Sequence, residues 1–99
     1  MIIYEVNLSI SNTIKDNFKE WLKKHAELMI TFPGFLKFSI YELSSEDKNK
    51  FNLCVHYNIK SEFYFENYLT NHSVEMQDEA IDLFGKQFTA TRRILKLCD

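Results

Sequence analysis

The sequence predicts an α+β domain of ferredoxin-like βαββαβ topology: a four-stranded antiparallel sheet with its helices on one face. Four stretches alternate apolar and polar residues with the period of a strand, and two regions between them carry apolar residues at helical spacing. Each β-α-β crossover must be right-handed, so this order within 99 residues leaves few other arrangements. The pattern is clearest in the last sixteen residues, FGKQFTATRRILKLCD, where a helix closes at Gly85 and one alternating strand follows.

In the first strand, residues 2–10, Ile2, Tyr4, Val6, Leu8 and Ile10 alternate with Glu5, Asn7 and Ser9, which gives one buried face. Thr13 is the expected N-cap of a helix over residues 13–31, with Asp16 in its first turn. Ile14, Phe18, Trp21, Leu22, His25, Leu28 and Met29 form its apolar stripe, and Pro33-Gly34 ends it. Residues 35–43 alternate again, with Leu36, Phe38 and Ile40 on one face and Lys37, Ser39 and Tyr41 on the other. SSEDKNK reads as a polar hairpin loop.

Strand three, residues 51–59, sets Phe51, Leu53, Val55, Tyr57 and Ile59 inward and Asn52, Cys54, His56 and Asn58 opposite. Ser61 caps a short aromatic helix over 62–69, and the helical region breaks near Asn71-His72. Ser73, followed by Glu75, opens a segment over 74–84 that buries Val74 or Gln77, Ala80, Ile81 and Phe84. Gly85 suits the left-handed position that closes a helix, and residues 88–97 form the last strand, an edge beside strand one.

Residues 1–99 read as one domain. Nine Phe, five Tyr and one Trp supply ample core, and two Gly and one Pro leave little room for disorder. A net charge of -2 provides no basic field, so neither nucleic acid nor an anionic membrane is an expected partner. RNA-binding modules on this sandwich stack bases on aromatic residues of the open face, where this chain has Glu5, Asn7, Cys54, His56 and Asn58. MIIYEVNL is short, lacks a leading Lys or Arg and alternates like a strand. It is neither a signal peptide nor a membrane span, and a cytoplasmic location is expected.

Cys54 and Cys98 lack CxxC or ligand-like spacing, so reduced thiols and no metal are expected. No glycine-rich phosphate loop, HExxH, paired carboxylates or Ser-His-Asp set can be assembled from these spacings, and no cofactor is expected.

The opening MIIYEVNLSI, the helix EWLKKHAELM followed by FPGFLKFSIYEL, the strand LCVHYNI and above all FGKQFTATRRILKL resemble a bacterial family of domains of unknown function. Its members open on MIIYNVTV-like strands, carry a Trp and a His separated by three or four residues on the first helix, and close on an FGGKFVAFRTLLEV-like strand. The resemblance spans nearly the whole chain. It implies a dimeric α+β barrel, the assembly of antibiotic-biosynthesis monooxygenases and related small proteins, in which two sheets face each other as a homodimer. The chain departs from the family at Thr91, where a Phe is usual, and in lacking a Pro after the His of helix one. Haem binding, found in related barrels, has no matching ligand position here.

The candidate sites each have two readings. His25 is either a hydrogen-bonded core histidine or, with Trp21 and Tyr57, part of a small-molecule pocket between helix one and the sheet. Glu5, Asn7 and His56 form a polar cluster that either seams a dimer or lines the barrel interior. Arg92 and Arg93 must face opposite sides of the sheet, for ion pairing or for binding an anion. His72 is expected in solvent, Cys54 inert and Cys98 accessible, with neither thiol a nucleophile. The functional expectation is a binding or structural homodimer without catalysis. The alternative is a cofactor-independent monooxygenase-like or isomerase-like enzyme.

Overall fold

The computed structural model describes residues 1–98. In chain order the elements are β1 (Ile2–Ser11), α1 (Lys15–Met29), β2 (Phe35–Leu43), β3 (Lys50–Ile59), α2 (Glu62–Asn71), α3 (Ser73–Phe84) and β4 (Phe88–Lys96). The strands form one antiparallel sheet in the order β2-β3-β1-β4, which is the ferredoxin-like arrangement. The strict alternation on the two central strands explains how the sheet is filled. Tyr4 sits opposite Tyr57, Val6 opposite Val55 and Leu8 opposite Leu53, so the apolar residues of β1 and β3 form one continuous face.

The helices cover that face alone. Phe18, Leu22, Ala26 and Met29 of α1 and Met76 and Ala80 of α3 are buried against it. The chain is accordingly a slab, 38 × 32 × 17 Å, with the other sheet face uncovered. Aromatic rings fill the interior in two groups. Phe18, Trp21, Phe84 and Phe88 meet between α1, α3 and β4, while Tyr4, Tyr57, Phe65 and Tyr68 meet between the sheet and α2.

Several local expectations are corrected. Helix α1 starts two residues later than predicted, after a 3₁₀ turn over Asn12–Ile14, and Ser11 rather than Thr13 caps that turn by accepting from the Thr13 amide. Ser73 is the first residue of α3, not its cap, and its hydroxyl donates back to the Leu69 carbonyl at 2.8 Å. Val74 and Ile81 are exposed. The break at His72 sets α3 in a phase that turns Met76 and Ala80 inward and leaves positions 74 and 81, two turns apart, outside. Leu28 is likewise half-exposed on the outer side of α1.

Leu36 is exposed because β2 is bulged. Phe35 pairs with Ile59 and Lys37 with Asn58, so Leu36 is the extra residue, and Phe35 takes the inward place expected of it. His72 is half-buried rather than in solvent, its ring stacked on Phe32 at 4.3 Å.

Pro33-Gly34 ends the connection after α1 as expected, and Gly34 has a second role. Its φ of +82° lies in the left-handed region, and a Cβ there would overlap the Cβ and ring Cγ of Tyr64 on α2. Gly85 also has positive φ, but open space surrounds it. Gly34→Ala should therefore cost about 2 to 4 kcal/mol, backbone strain plus overpacking, and Gly85→Ala only about 1 to 2 kcal/mol. Urea denaturation of the two variants measures the difference.

Candidate functional site

The register of β4 decides where the two arginines go. Glu5 pairs across to Arg93 on one side and to His56 on the other, while Val6 pairs with Arg92. Arg93 thus belongs to the uncovered face and Arg92 to the face beneath the helices. Two sites result, one on each side of the sheet.

On the uncovered face Glu5 is the centre. Its carboxylate is buried by its neighbours although no helix lies over it. Oε1 accepts from Arg93 Nε at 2.5 Å and from the Asn7 amide at 2.7 Å, and Oε2 meets His56 Nε2 at 2.8 Å. Glu5, Asn7 and His56 therefore come together as the alternation of β1 and β3 indicates, and Arg93 and Cys54 join them. These contacts hold the Glu5 carboxyl at about 2, with Arg93 the largest cause, then Asn7, and His56 adding less, against partial desolvation. Cys54, buried at the same spot, is pushed up by burial and by the Glu5 charge, so its thiol stays protonated. Tyr41 packs edge-on against the His56 ring at 5.4 Å.

Beneath the helices, His25, Trp21 and Tyr57 line one cavity of about 50 Å³, together with Tyr4, Tyr68 and Arg92. The His25 ring stacks on Trp21 at 4.5 Å, and the Trp21 indole donates to Glu79 of α3 at 2.9 Å. His25 Nδ1 is buried without a hydrogen-bond partner among the described residues. Burial lowers the His25 pKa, the charge of Arg92 lowers it further and Glu79 opposes them, so the ring is neutral at neutral pH. Tyr57 and Tyr68 are raised by burial first, and Tyr4 is raised by burial against the opposing Arg92 charge. All three phenols keep their protons. The wall thus offers one cation and three hydroxyl donors to an anion or a carbonyl oxygen.

Trp21, His25 and Tyr57 could be named from helical spacing and strand parity. Parity alone puts Arg92 and Arg93 on opposite faces, and the register assigns them: Phe88, Ala90, Arg92 and Ile94 share one face with Val6. Cys54, on the same face as His56, could be placed beside Glu5 only once the register was known.

Both titrating groups lower stability in acid. Glu5 is shifted from 4.5 to about 2, so its contribution is complete above pH 4.5 and is lost as pH falls toward 2. His25 lies below 6.5 in the folded chain, so the unfolded chain takes up its proton first and stability declines as pH falls through 6.5. Glu5→Gln should cost about 1.5 to 3 kcal/mol at neutral pH, because the amide keeps one acceptor oxygen but loses the charge and the second acceptor that Arg93, Asn7 and His56 share. Its stability should also be flatter than the native chain's below pH 4.5, and His25→Gln should remove the decline that begins near 6.5. Thermal melts from neutral pH into acid read both effects.

Solved structures share the fold across the chain. A candidate antibiotic biosynthesis monooxygenase of Deinococcus radiodurans superposes with a TM-score of 0.75 at 14% identity, over 100% of this chain and 94% of that one. A cofactor-independent oxygenase of Streptomyces nogalater does so with a TM-score of 0.70 at 14% identity, over 99% and 94%. An ethyl tert-butyl ether D family protein of Bacillus halodurans matches with a TM-score of 0.65 at 20% identity, over 98% and 99%. At these identities the likeness is one of fold. No curated protein matches the chain. The model of a domain of unknown function, DUF4286, matches residues 1–98. The chain belongs to the DUF4286 family, on the sandwich fold that it shares with antibiotic-biosynthesis-monooxygenase-like proteins.

Proposed function

We propose that this protein is a homodimer, closed through its uncovered sheet faces, that binds a small anionic or carbonyl-bearing molecule beneath its helices. The carrying observation is Arg92, set by the β4 register in an aromatic wall where the buried His25 Nδ1 has no partner among the described residues. A cation facing phenols and an unpartnered ring nitrogen is the arrangement of a polar ligand site. The uncovered face supports the dimer. It carries a buried carboxylate and the half-exposed Tyr41 and Leu43, and a second sheet would cover them.

Size limits the ligand. A dry apolar cavity of about 150 Å³ binds benzene, so the observed cavity of about 50 Å³, a third of that, admits only a molecule of a few heavy atoms. A larger ligand requires α3, which supplies Met76, Gln77 and Ala80 to the wall, to move outward.

The second reading is a cofactor-independent oxygenase. It is favoured by the fold shared with the Streptomyces nogalater oxygenase and by the neutral His25 ring at the cavity. In that reading His25 takes the proton of an electron-rich phenol and Arg92 holds the oxyanion. Oxygen uptake with such a phenol, abolished by His25→Gln, would be the result expected of it.

Trp21 is the one tryptophan and forms part of the wall, so its fluorescence reports occupancy. Titration with acetate should change the emission, and Arg92→Met should weaken binding about 10- to 100-fold, the size of a lost charged hydrogen bond. Equal affinity in the variant would contradict the reading. Light scattering after size exclusion should give twice the 11.8 kDa chain mass at micromolar concentration, and a monomer there would exclude the dimer.

A further inference from the structure

We infer that Glu5, Cys54 and His56 form a binding site for a divalent transition ion of the zinc class. The site lies on the opposite face of the sheet from Arg92 and is independent of the pocket there. One ligand atom from each of the three residues lies within 4.8 Å of the other two. They stand on adjacent central strands, where Glu5 faces His56 directly and Asn7 faces Cys54, so sheet hydrogen bonding fixes their backbones.

The chemistry of the set selects the ion. A thiolate, an imidazole and a carboxylate are the donors that zinc takes, and three of them leave a fourth tetrahedral position for water or substrate. Zinc bond lengths place tetrahedral ligand atoms roughly 3.3 to 3.7 Å apart, so side-chain rotations of about an ångström gather these three without moving the strands. Calcium and magnesium prefer all-oxygen sites.

Arg93 supports the site rather than blocking it. Its guanidinium and the Asn7 amide both occupy Oε1 of Glu5, while Oε2 is the oxygen turned to His56. An ion seated between Oε2, His56 Nε2 and Cys54 Sγ keeps Arg93 and Asn7 as the outer groups that orient the ligating carboxylate. The thiolate and carboxylate neutralise the two charges of the ion, and the Cys54 proton leaves as it binds. Tyr41, edge-on to the His56 ring, restricts that ring's rotation.

The test is titration of the reduced full chain with cobalt(II), followed by zinc. One ion per chain should bind, with a near-ultraviolet thiolate-to-cobalt charge-transfer band that zinc bleaches. Cys98→Ser, which removes the other, exposed thiol, should leave the band intact. Cys54→Ser should abolish it, and His56→Gln should weaken binding at least about tenfold. Zinc should raise the melting temperature of the native chain and of Cys98→Ser but not of His56→Gln, which decides the matter even if Cys54→Ser fails to fold. Absence of stoichiometric binding, a band that follows Cys98, or undiminished binding by His56→Gln would overturn the site.

Discussion

The register of the central strand against its two neighbours is the constraint on which the rest of this structure depends, and Glu5 is where it is read most sharply. A carboxylate at the middle of an uncovered sheet face, packed about by side chains, stays charged only if donors reach it. Asn7 reaches it from the same strand, His56 from β3 and Arg93 from β4. A slip of β4 by one residue would remove Arg93 from Glu5 and turn it beneath the helices in place of Arg92. The ion pair on one face and the cationic pocket on the other are consequences of one alignment.

That alignment ties packing to chemistry. The parity that builds the aromatic core also places Arg92 among Tyr4, Tyr57 and Tyr68, and α1 brings Trp21 and His25 over the same place. The buried hydroxyls hold their protons and the imidazole is neutral, so Arg92 supplies the positive charge of that wall. On the other face the same residues that satisfy Glu5 leave a thiol and an imidazole beside it.

Period-two and helical patterning made the order of elements, the buried faces of β1 and β3 and the break at Asn71-His72 legible in advance. Those features depend on the sign of hydrophobicity at each position, which the chain states plainly. Less legible was anything set by phase or by a single inserted residue. Val74 and Ile81 look like core residues, yet α3 is rotated so that Met76 and Ala80 fill the space. Leu36 looks inward until the bulge shifts it out. The candidate pocket was half legible, because helical spacing marks Trp21 and His25, whereas choosing between Arg92 and Arg93 needs the pairing partner. Cys54 beside Glu5 is a contact across 49 positions of sequence, and no local spacing announces it.

A thermodynamic double-mutant cycle on Glu5→Gln and Arg93→Gln tests the central claim most directly, because it isolates the pair from the packing around each side chain. Exposed ion pairs couple by about 0.2 to 1 kcal/mol. With Glu5 6% exposed and Arg93 68% exposed, the pair is screened by solvent on one side only, and a coupling clearly above zero is predicted. A coupling indistinguishable from zero would show that the pair does not hold the alignment of β4, and would contradict the account.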